Sequence, residues 1–592
     1  MSKHAGRLCA NALLALTTAT DHLRDDPVVL ALQISRRMPP AVRSRLGRLG
    51  ERLAPSGPAV PTAVALAAGG RTESLRRLVE AVTQAPATRG ADPVARVRLA
   101  DVLLAADDVD RAEALLAGTS SATPGWREAR ARAHWHRGRM QQAVAVLGMS
   151  GREGAVRRRL GSELTSLQGR TPELPDASAG YLPEQNRVLF VLTNSLPHTG
   201  SGYAQRSHSL MQAVRDCGWE VEAVTRLGWP VQTGVLTAAD CDEVDGIPYH
   251  RLLAARLVPG FDARLQQHAE ALLRLVLQRR PAVLHTTTHW VNAVVVRAVA
   301  EAVGIPWVYE VRGQLADTWA STRGPRALDS ERYRLFVRRE ADAVRSADAV
   351  VTLAETMRRR VAADGVDPDR IVLSPNAVGG AFLDEPGDVR SARLTLGLDV
   401  DAEYVGTVSS VVPYEGLDDL VRTVAALAAH RPRLRLMIAG DGTALPGLQQ
   451  LADELGIADR LVTLGRVDRA LAPVCHQALD VFCVPRRDTS VTRAVTPMKP
   501  LEAMASSRPV AVSDLPALRE IVSDGVTGVL VPAEDPAAWA DALEALLDSP
   551  DRRADLGRRA RDWVLAERTW AANARRYVET YAEVTARPAR DR

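Results

Sequence analysis

From Asn186 onward, short β-branched runs alternate with helical stretches, and this alternation constrains the fold more than any other feature of the chain. The first series is "RVLFVLT" (187–193), "WEVEAVT" (219–225), "AVLHTTT" (282–288), "PWVYEV" (306–311) and "DAVVTL" (348–353). Strands separated by helices predict a doubly wound parallel sheet. A second series follows "SPNAV" (374–378): "EYVGTV" (403–408), "LRLMIAG" (434–440), "RLVTLG" (460–465), "DVFCVP" (480–485) and "RPVAVS" (508–513). Two Rossmann-like domains in tandem leave a cleft between them, and ligands of such sheets bind beyond the carboxyl ends of the strands.

Residues 1–180 contain almost nothing strand-like. "LAADDVDRAEALL" (104–116) and "WHRGRMQQAVAVL" (135–147) align at an offset of 31, with a turn at Asp107 or Gly138 followed by Ala112 or Ala143 and an apolar stripe. "LAAGGRTESLRRLV" (66–79) is a weaker third copy. Small residues at a crossing point let paired helices approach closely, so this region reads as helical hairpins of tetratricopeptide type. A Pro/Gly/Ser-rich linker follows, "GRTPELPDASAGYLPEQ". The fold class expected is therefore α/β, with two facing Rossmann-like domains preceded by an all-α domain. The expected boundaries are 1–168 for the helical domain, 169–185 for the linker, 186–378 and 379–567 for the two Rossmann-like domains, and 568–592 for a final helix. That helix carries Trp570, Tyr577 and Tyr581 on one side.

The 592 residues carry 75 basic and 71 acidic side chains, a balance that argues against a nucleic-acid partner. Cys9, Cys217, Cys241, Cys475 and Cys483 form neither a CxxC nor a Cys/His cluster, which fits reduced cytosolic thiols. The apolar run 8–20 is broken by Asn11 and reads as an amphipathic first helix rather than a secretory signal. No stretch reaches the ~18 apolar residues that span a bilayer.

Four stretches fall where strand ends should face the cleft. "NSLPHTGSGYAQRS" (194–207) offers Gly200 and Gly202, where backbone N–H groups and a helix N-terminus can meet a phosphate, although loops also use glycine only to turn. "HTTTHW" (285–290) and "YEVRG" (309–313) bring His285, His289 and Arg312; a histidine there could polarise a hydroxyl and an arginine could hold an anion, or the histidine could be structural. "GTVSSVVPYEGLDDL" (406–420) places Gly416 before a helix start. The fourth joins "CVPRRD" (483–488) to "TPMKPLEAMASSRPVAVSDLP" (496–516), gathering Arg486, Arg487, Arg493 and Lys499 around Glu502. A solvated basic face is the alternative reading, and the concentration at strand ends argues against it.

Taken in order, "TGSGYAQRSHSLMQAV" with "GWEVEAVTR", "IAGDG" (438–442), "LGRV" (464–467), "PLEAMASSRPVAVSD" (500–514) and "DGVTGVLVPAEDP" (524–536) resemble bacterial retaining glycosyltransferases of family 4, over about 186–590. The resemblance implies the two-lobed GT-B fold, with "SPNAV" at the domain junction and the aromatic last helix crossing back to the first domain. It implies that Glu502 accepts hydrogen bonds from the two ribose hydroxyls of the donor, a natural bidentate arrangement. It sets the amides near Pro500, Leu501 and Glu502 beside the diphosphate and Arg466 and Val467 along the base. His285 matches the family's histidine in position, with His289 as a rival. No metal or other cofactor is expected, only a nucleotide-diphosphate sugar, UDP- or GDP-linked, as donor substrate.

The sequence also departs from the family. The first of its two glutamates is replaced by Ala494, and in its glycine loop the places of a glycine, an arginine and a lysine hold Ser409, Ser410 and Glu415. Negative charge building on a leaving diphosphate must be met by preorganised cations. Lys499, with Arg486 or Arg493, is expected to supply them. The function expected is retaining transfer of a hexose to a hydroxyl of a polysaccharide, lipid-linked or glycolipid acceptor, in the cytoplasm or at the inner face of the membrane. Another GT-B enzyme, such as a sugar-nucleotide epimerase, and a catalytically degenerate scaffold are the alternatives. The helical N-terminal region, with the arginine-rich "RRMPPAVRSRLGRLGERL" (36–53), is a place for a protein partner or an anionic membrane surface.

Overall fold

In a computed structural model the described residues are 2–25, 27–36, 38, 40–54, 59–84 and 92–587. The first lobe is built on eight strands: β1 (Glu184–Leu192), β2 (Glu220–Thr225), β3 (Cys241–Val244), β4 (Ile247–Arg251), β5 (Pro281–Thr287), β6 (Trp307–Val311), β7 (Ala349–Thr352) and β8 (Ile371–Leu373). Their spatial order is β3-β4-β2-β1-β5-β6-β7-β8. The second lobe has six: β9 (Glu403–Val408), β10 (Leu434–Ala439), β11 (Leu461–Gly465), β12 (Val481–Val484), β13 (Val510–Ser513) and β14 (Val529–Val531), ordered β11-β10-β9-β12-β13-β14. All ten expected strands are present and pair in parallel, and four more flank them. Edge strand β3 alone runs antiparallel, joined to β4 through Asp245 and Gly246, both at positive φ. Asp-Gly is the sequence signature of such a turn.

Each sheet is covered on both faces. Val191, Leu284 and Tyr309 belong to one core of the first lobe, while Val188, Phe190 and Val308 belong to the other. The helix Trp570–Ala586 supplies Trp570, Tyr577 and Tyr581 to the second of these cores, so the chain's end does cross back to the first lobe. The crossing is fixed by Val378 N–H donating to Arg568 O (2.8 Å) and Trp570 N–H to Val378 O (3.1 Å).

Among the described residues the chain up to Leu167 forms helices joined by turns, followed by an irregular stretch over 168–183, and it includes the pairs Ala59–Ala68 with Thr72–Gln84, Pro93–Ala105 with Val109–Ala117, and Trp126–His136 with Met140–Ala145. The turns between the last two pairs use Asp107 and Gly138 at positive φ. Gly138 packs so tightly that a Cβ would lie 2.7 Å from Ser330 Oγ, and its carbonyl accepts from Arg332 N–H (3.0 Å). A side chain there would push the helical region off the first lobe. The first helix, Ser2–Asp25, docks elsewhere on that lobe: Asn11 Nδ2 donates to Leu236 O and Ala238 O, and Leu14 joins Leu227, Val231 and Leu257. Among the described residues no helix is long and apolar enough to cross a membrane.

Candidate active site

The carboxyl ends of β9 and β12 lead into two loops that touch. Gly416 sits at φ +67° with its α-carbon so near the Pro485 carbonyl that a Cβ would lie 2.0 Å from the oxygen, which explains a glycine there. Beside it, the Glu415 carboxylate takes a fork from Arg486: Nη2 to Oε1 at 2.8 Å and Nε to Oε2 at 3.1 Å, both residues buried. Arg486 Nη1 also donates to Val495 O (3.0 Å). The departure at Glu415 is thereby explained. Where the resemblance implies a lysine, this chain has a carboxylate that neutralises an arginine. Arg486 is accordingly no free cation, contrary to expectation; it ties the glycine loop to the segment entering the helix Lys499–Ala505. Arg493 is likewise engaged, Nη2 to Asp488 Oδ2 at 2.6 Å on the surface, and Arg487 reaches Asp418 Oδ2 at 2.6 Å.

Glu502 lies in the first turn of that helix, 8% exposed. Lys499 Nζ is 2.9 Å from its Oε2, and His476 Nε2 is 3.4 Å from the same oxygen. Among the described residues no hydrogen bond reaches Oε1. Burial alone would raise the carboxyl, but Lys499 and His476 outweigh it and hold it at about 2, so the group is an anion at any physiological pH. Burial pushes the His476 ring the other way, toward the neutral form, with Glu502 only partly opposing. His476 is packed between Phe382 and Phe482. A lone histidine in the apolar helix Ala472–Gln477 reads as core from the sequence; only the fold brings it beside Glu502, within ion-pair distance and with no hydrogen bond at either ring nitrogen.

The expected cation and carboxylate are therefore side by side, and Lys499 remains 41% exposed at its side chain. The backbone differs from expectation. Leu501 N–H and Glu502 N–H both donate to Met498 O (3.0 and 3.3 Å), and Pro500 has no N–H, so these amides close the helix's first turn instead of facing a ligand. Pro500 and Leu501 are buried, Leu501 within the core of the second lobe. Arg466 and Val467 follow the carboxyl end of β11; Arg466 is exposed and Val467 leans on the same core.

In the first lobe, exposed Gly200 and Gly202 lie at the start of the helix Gly202–Asp216; a Cβ would meet nothing within 4 Å at Gly202 and only Gln205 Nε2, at 3.8 Å, at Gly200. Next to them Tyr203, about half exposed, lies within electrostatic reach of Tyr414 of the second lobe, whose phenol is pushed up mainly by burial. His285 and Arg312 are placed otherwise than expected. Both are buried, around Glu310, which is 0% exposed. Arg312 Nη2 meets Glu310 Oε2 at 2.6 Å, and Arg206 Nη2 meets Oε1 at 2.7 Å. His285 is stacked on Phe190, its Nδ1 is 2.6 Å from Tyr581 Oη, and its Nε2 is 3.5 Å from Glu310 Oε2. A ring enclosed in this way cannot touch a sugar in the cleft. His289, the rival, caps the next helix through Nδ1 and packs on Trp290 and Phe336. Burial keeps it neutral, down to about 4.

The two clusters communicate through the junction. Arg206 Nη1 donates to Asn376 Oδ1 (3.0 Å), and Asn376 Nδ2 donates to Thr496 O (2.7 Å), three residues before Lys499. Val495 and Met498 lean on the two cores of the first lobe. The segment that delivers Lys499 and Glu502 is thus anchored on the opposite lobe, a role for Asn376 that only the fold reveals.

Comparison with known proteins agrees with this architecture. Residues 389–563 match the family described as glycosyl transferases group 1, and residues 201–377 match the glycosyl transferase 4-like domain. D-inositol 3-phosphate glycosyltransferase of Thermobispora bispora is 30% identical over 431 residues, covering 68% of this chain and 96% of the relative. The enzyme of that name from Stackebrandtia nassauensis is 30% identical over 416 residues, 66% of this chain and 89% of its own. Among solved structures, sucrose-phosphate synthase from Thermosynechococcus elongatus superimposes with a TM-score of 0.56 at 22% identity, over 68% of this chain and 99% of the other. Anabaena HepE in complex with UDP does so with a TM-score of 0.53 at 16% identity, over 67% and 100%. The chain belongs to glycosyltransferase family 4, enzymes of the two-lobed GT-B fold that draw on nucleotide-sugar donors.

Proposed function

We propose that the protein transfers a hexose from a UDP- or GDP-linked donor to an acceptor hydroxyl with retention of anomeric configuration. The observation that carries this reading is the Lys499–Glu502 pair: one buried anionic carboxylate with an oxygen open to donors, and one half-exposed cation 2.9 Å away. In the proposed complex the Glu502 carboxylate takes the ribose hydroxyls. Lys499 then moves its charge to the adjoining diphosphate, where negative charge grows as the glycosidic bond breaks. His476 holds the carboxylate in place, and the Glu415–Arg486 fork fixes the loop beside it. The leaving phosphate itself serves as base for the incoming hydroxyl, so no protein histidine is required at the sugar.

The acceptor is proposed to be a hydroxyl of a polysaccharide, a lipid-linked intermediate or a glycolipid. Phosphorylated polyols join the acceptors worth testing, because curated relatives are named for D-inositol 3-phosphate. The five free cysteines fit a reducing, cytoplasmic setting. The helical region is proposed as the contact for a protein partner or for the inner face of the membrane.

The test combines a donor screen with one substitution. UDP-, GDP- and ADP-sugars are compared by thermal shift, since a ligand bound only by the folded state raises its melting temperature. Lys499→Ala is expected to lower kcat by about 10²–10³-fold while circular dichroism stays native. Near-normal turnover in that variant removes the assignment. Product analysis with and without acceptor separates a transferase from an epimerase.

A further inference from the structure

A cavity of about 540 Å³ lies where the two lobes are joined, away from Lys499 and Glu502. Its floor is apolar, with Ile371 and Leu373 of edge strand β8 and Pro375 of the junction. Its rim carries three arginines, Arg358, Arg568 and Arg576. Two carboxylates stand nearby, but neither is paired with Arg568 or Arg576. Glu520 Oε2 accepts from Glu355 N–H (2.8 Å) and Oε1 from Thr356 N–H (3.0 Å), capping the helix Glu355–Ala363, and Glu355 pairs with Arg358 at 3.6 Å.

Arg568 and Arg576 are left with weaker company. Arg568 Nη2 donates to the Glu520 backbone carbonyl (3.2 Å) and its guanidinium lies 4.9 Å from the Trp563 ring centre; Arg576 Nη1 donates to Asn573 Oδ1 (3.1 Å). Among the described residues neither has a carboxylate within ion-pair distance. Burial pushes Arg568 downward and the Arg576 charge adds to that shift, with Glu520 and Glu567 offsetting only part. Two like charges beside an apolar floor, with no carboxylate at ion-pair distance, cost free energy that a bound anion would recover.

We propose that this cavity is a binding site for a small ligand with one anionic group, a phosphate ester or a carboxylate, on an apolar body. Arg568 and Arg576 take the anion and the β8 edge takes the body. The walls come from the first lobe, from Glu520 of the second and from the returning helix, so occupancy is linked to the arrangement of the lobes: a ligand that prefers one arrangement shifts the protein toward it.

Isothermal titration of the full chain tests this with phenyl phosphate and phenylacetate as probes and phenol as the neutral control. At least one of the two anions is expected to bind and phenol is not. Arg576→Gln, a partly buried position on a long helix, is expected to weaken that binding at least about tenfold without lowering the melting temperature. Arg568→Gln provides a second rim variant should Arg576→Gln melt early, with the same weakening expected. Lys499→Ala is expected to leave the affinity unchanged, which separates this site from the donor site. Absence of binding by both anions at about 10 mM, equal affinity in the rim variants, or loss of affinity in Lys499→Ala overturns the proposal.

Discussion

Glu310 in the first lobe and Glu502 in the second are both buried glutamates, and both are held ionised by cations that outweigh their burial. Their partners differ. Glu310 has each oxygen taken by an arginine and a buried histidine alongside, and the arginines themselves are tied to Ser207, Asn376 and backbone carbonyls. Glu502 has one oxygen shared by Lys499 and His476 and the other open, and its lysine is half in solvent. A saturated buried carboxylate is a fastener, because nothing can be added to it without breaking what is there. An unsaturated one can accept a further donor without losing a partner. Charge and burial do not separate the two; the count of partners does.

The contrast is broken most forcefully by Glu310→Ala. Removing the shared anion leaves Arg206 and Arg312 buried without it, a situation that costs about 3–5 kcal/mol. Urea denaturation is expected to show that loss, and a variant as stable as the parent would mean that the cluster is not a fastener. Glu502→Gln acts chiefly on binding. It keeps the shape, gives up the stability that the depressed carboxyl supplies above about pH 4.5, and weakens UDP-sugar binding by roughly 10²-fold, since two charge-assisted hydrogen bonds at about 1.5–3 kcal/mol each are degraded to neutral ones. Titration calorimetry reads the affinity and denaturation the stability; a variant that unfolds early yet binds normally would exchange the roles of the two glutamates.

His285 sharpens the comparison from the other side. Its place in the sequence is that of a catalytic histidine, but its ring lies in the core between Phe190 and the tyrosines of the last helix. His285→Phe is expected to cost about 1–3 kcal/mol by leaving the Tyr581 hydroxyl unpaired, with kcat retained per folded molecule. A collapse of kcat in a stable variant would return the histidine to the chemistry.

These residues also show how far the sequence could be read. The β-branched runs were legible because a strand covered on both faces must be apolar along its length, and β1, β5, β9 and β10 fall where those runs are. Strands of three residues, β8 and β14, give too little pattern to be seen, and the β3–β4 hairpin was signalled only by Asp245-Gly246. In the site, Lys499 and Glu502 were legible because three residues of helix place them on one face. Arg486 and Arg312 were not, since the carboxylates that neutralise them stand in other loops or strands, and only the fold decides whether an arginine meets a ligand or a glutamate. The open turns at Gly200 and Gly202 needed no partner from elsewhere, which is why local sequence sufficed to place them.

The smallest effect concerns pH. The Glu502 carboxyl is held at about 2 in the folded protein, against 4.5 as its ordinary value. A carboxyl depressed on folding binds fewer protons in the native than in the unfolded state, so its contribution is complete above about pH 4.5 and is lost as pH falls toward 2. Within that window one proton contributes at most about 1.4 kcal/mol of stability per pH unit. Glu502→Gln removes the titrating group, so its stability curve should be flatter than the parent's by up to that slope between pH 4.5 and 2 and parallel to it above pH 5. Lys499→Ala should flatten the same window in part, because Lys499 is the strongest of the influences holding the carboxyl down. Equal slopes in parent and Glu502→Gln, measured by urea unfolding across that range, would mean that the lysine does not hold the carboxylate in solution, and the open oxygen would lose its meaning as a ligand site.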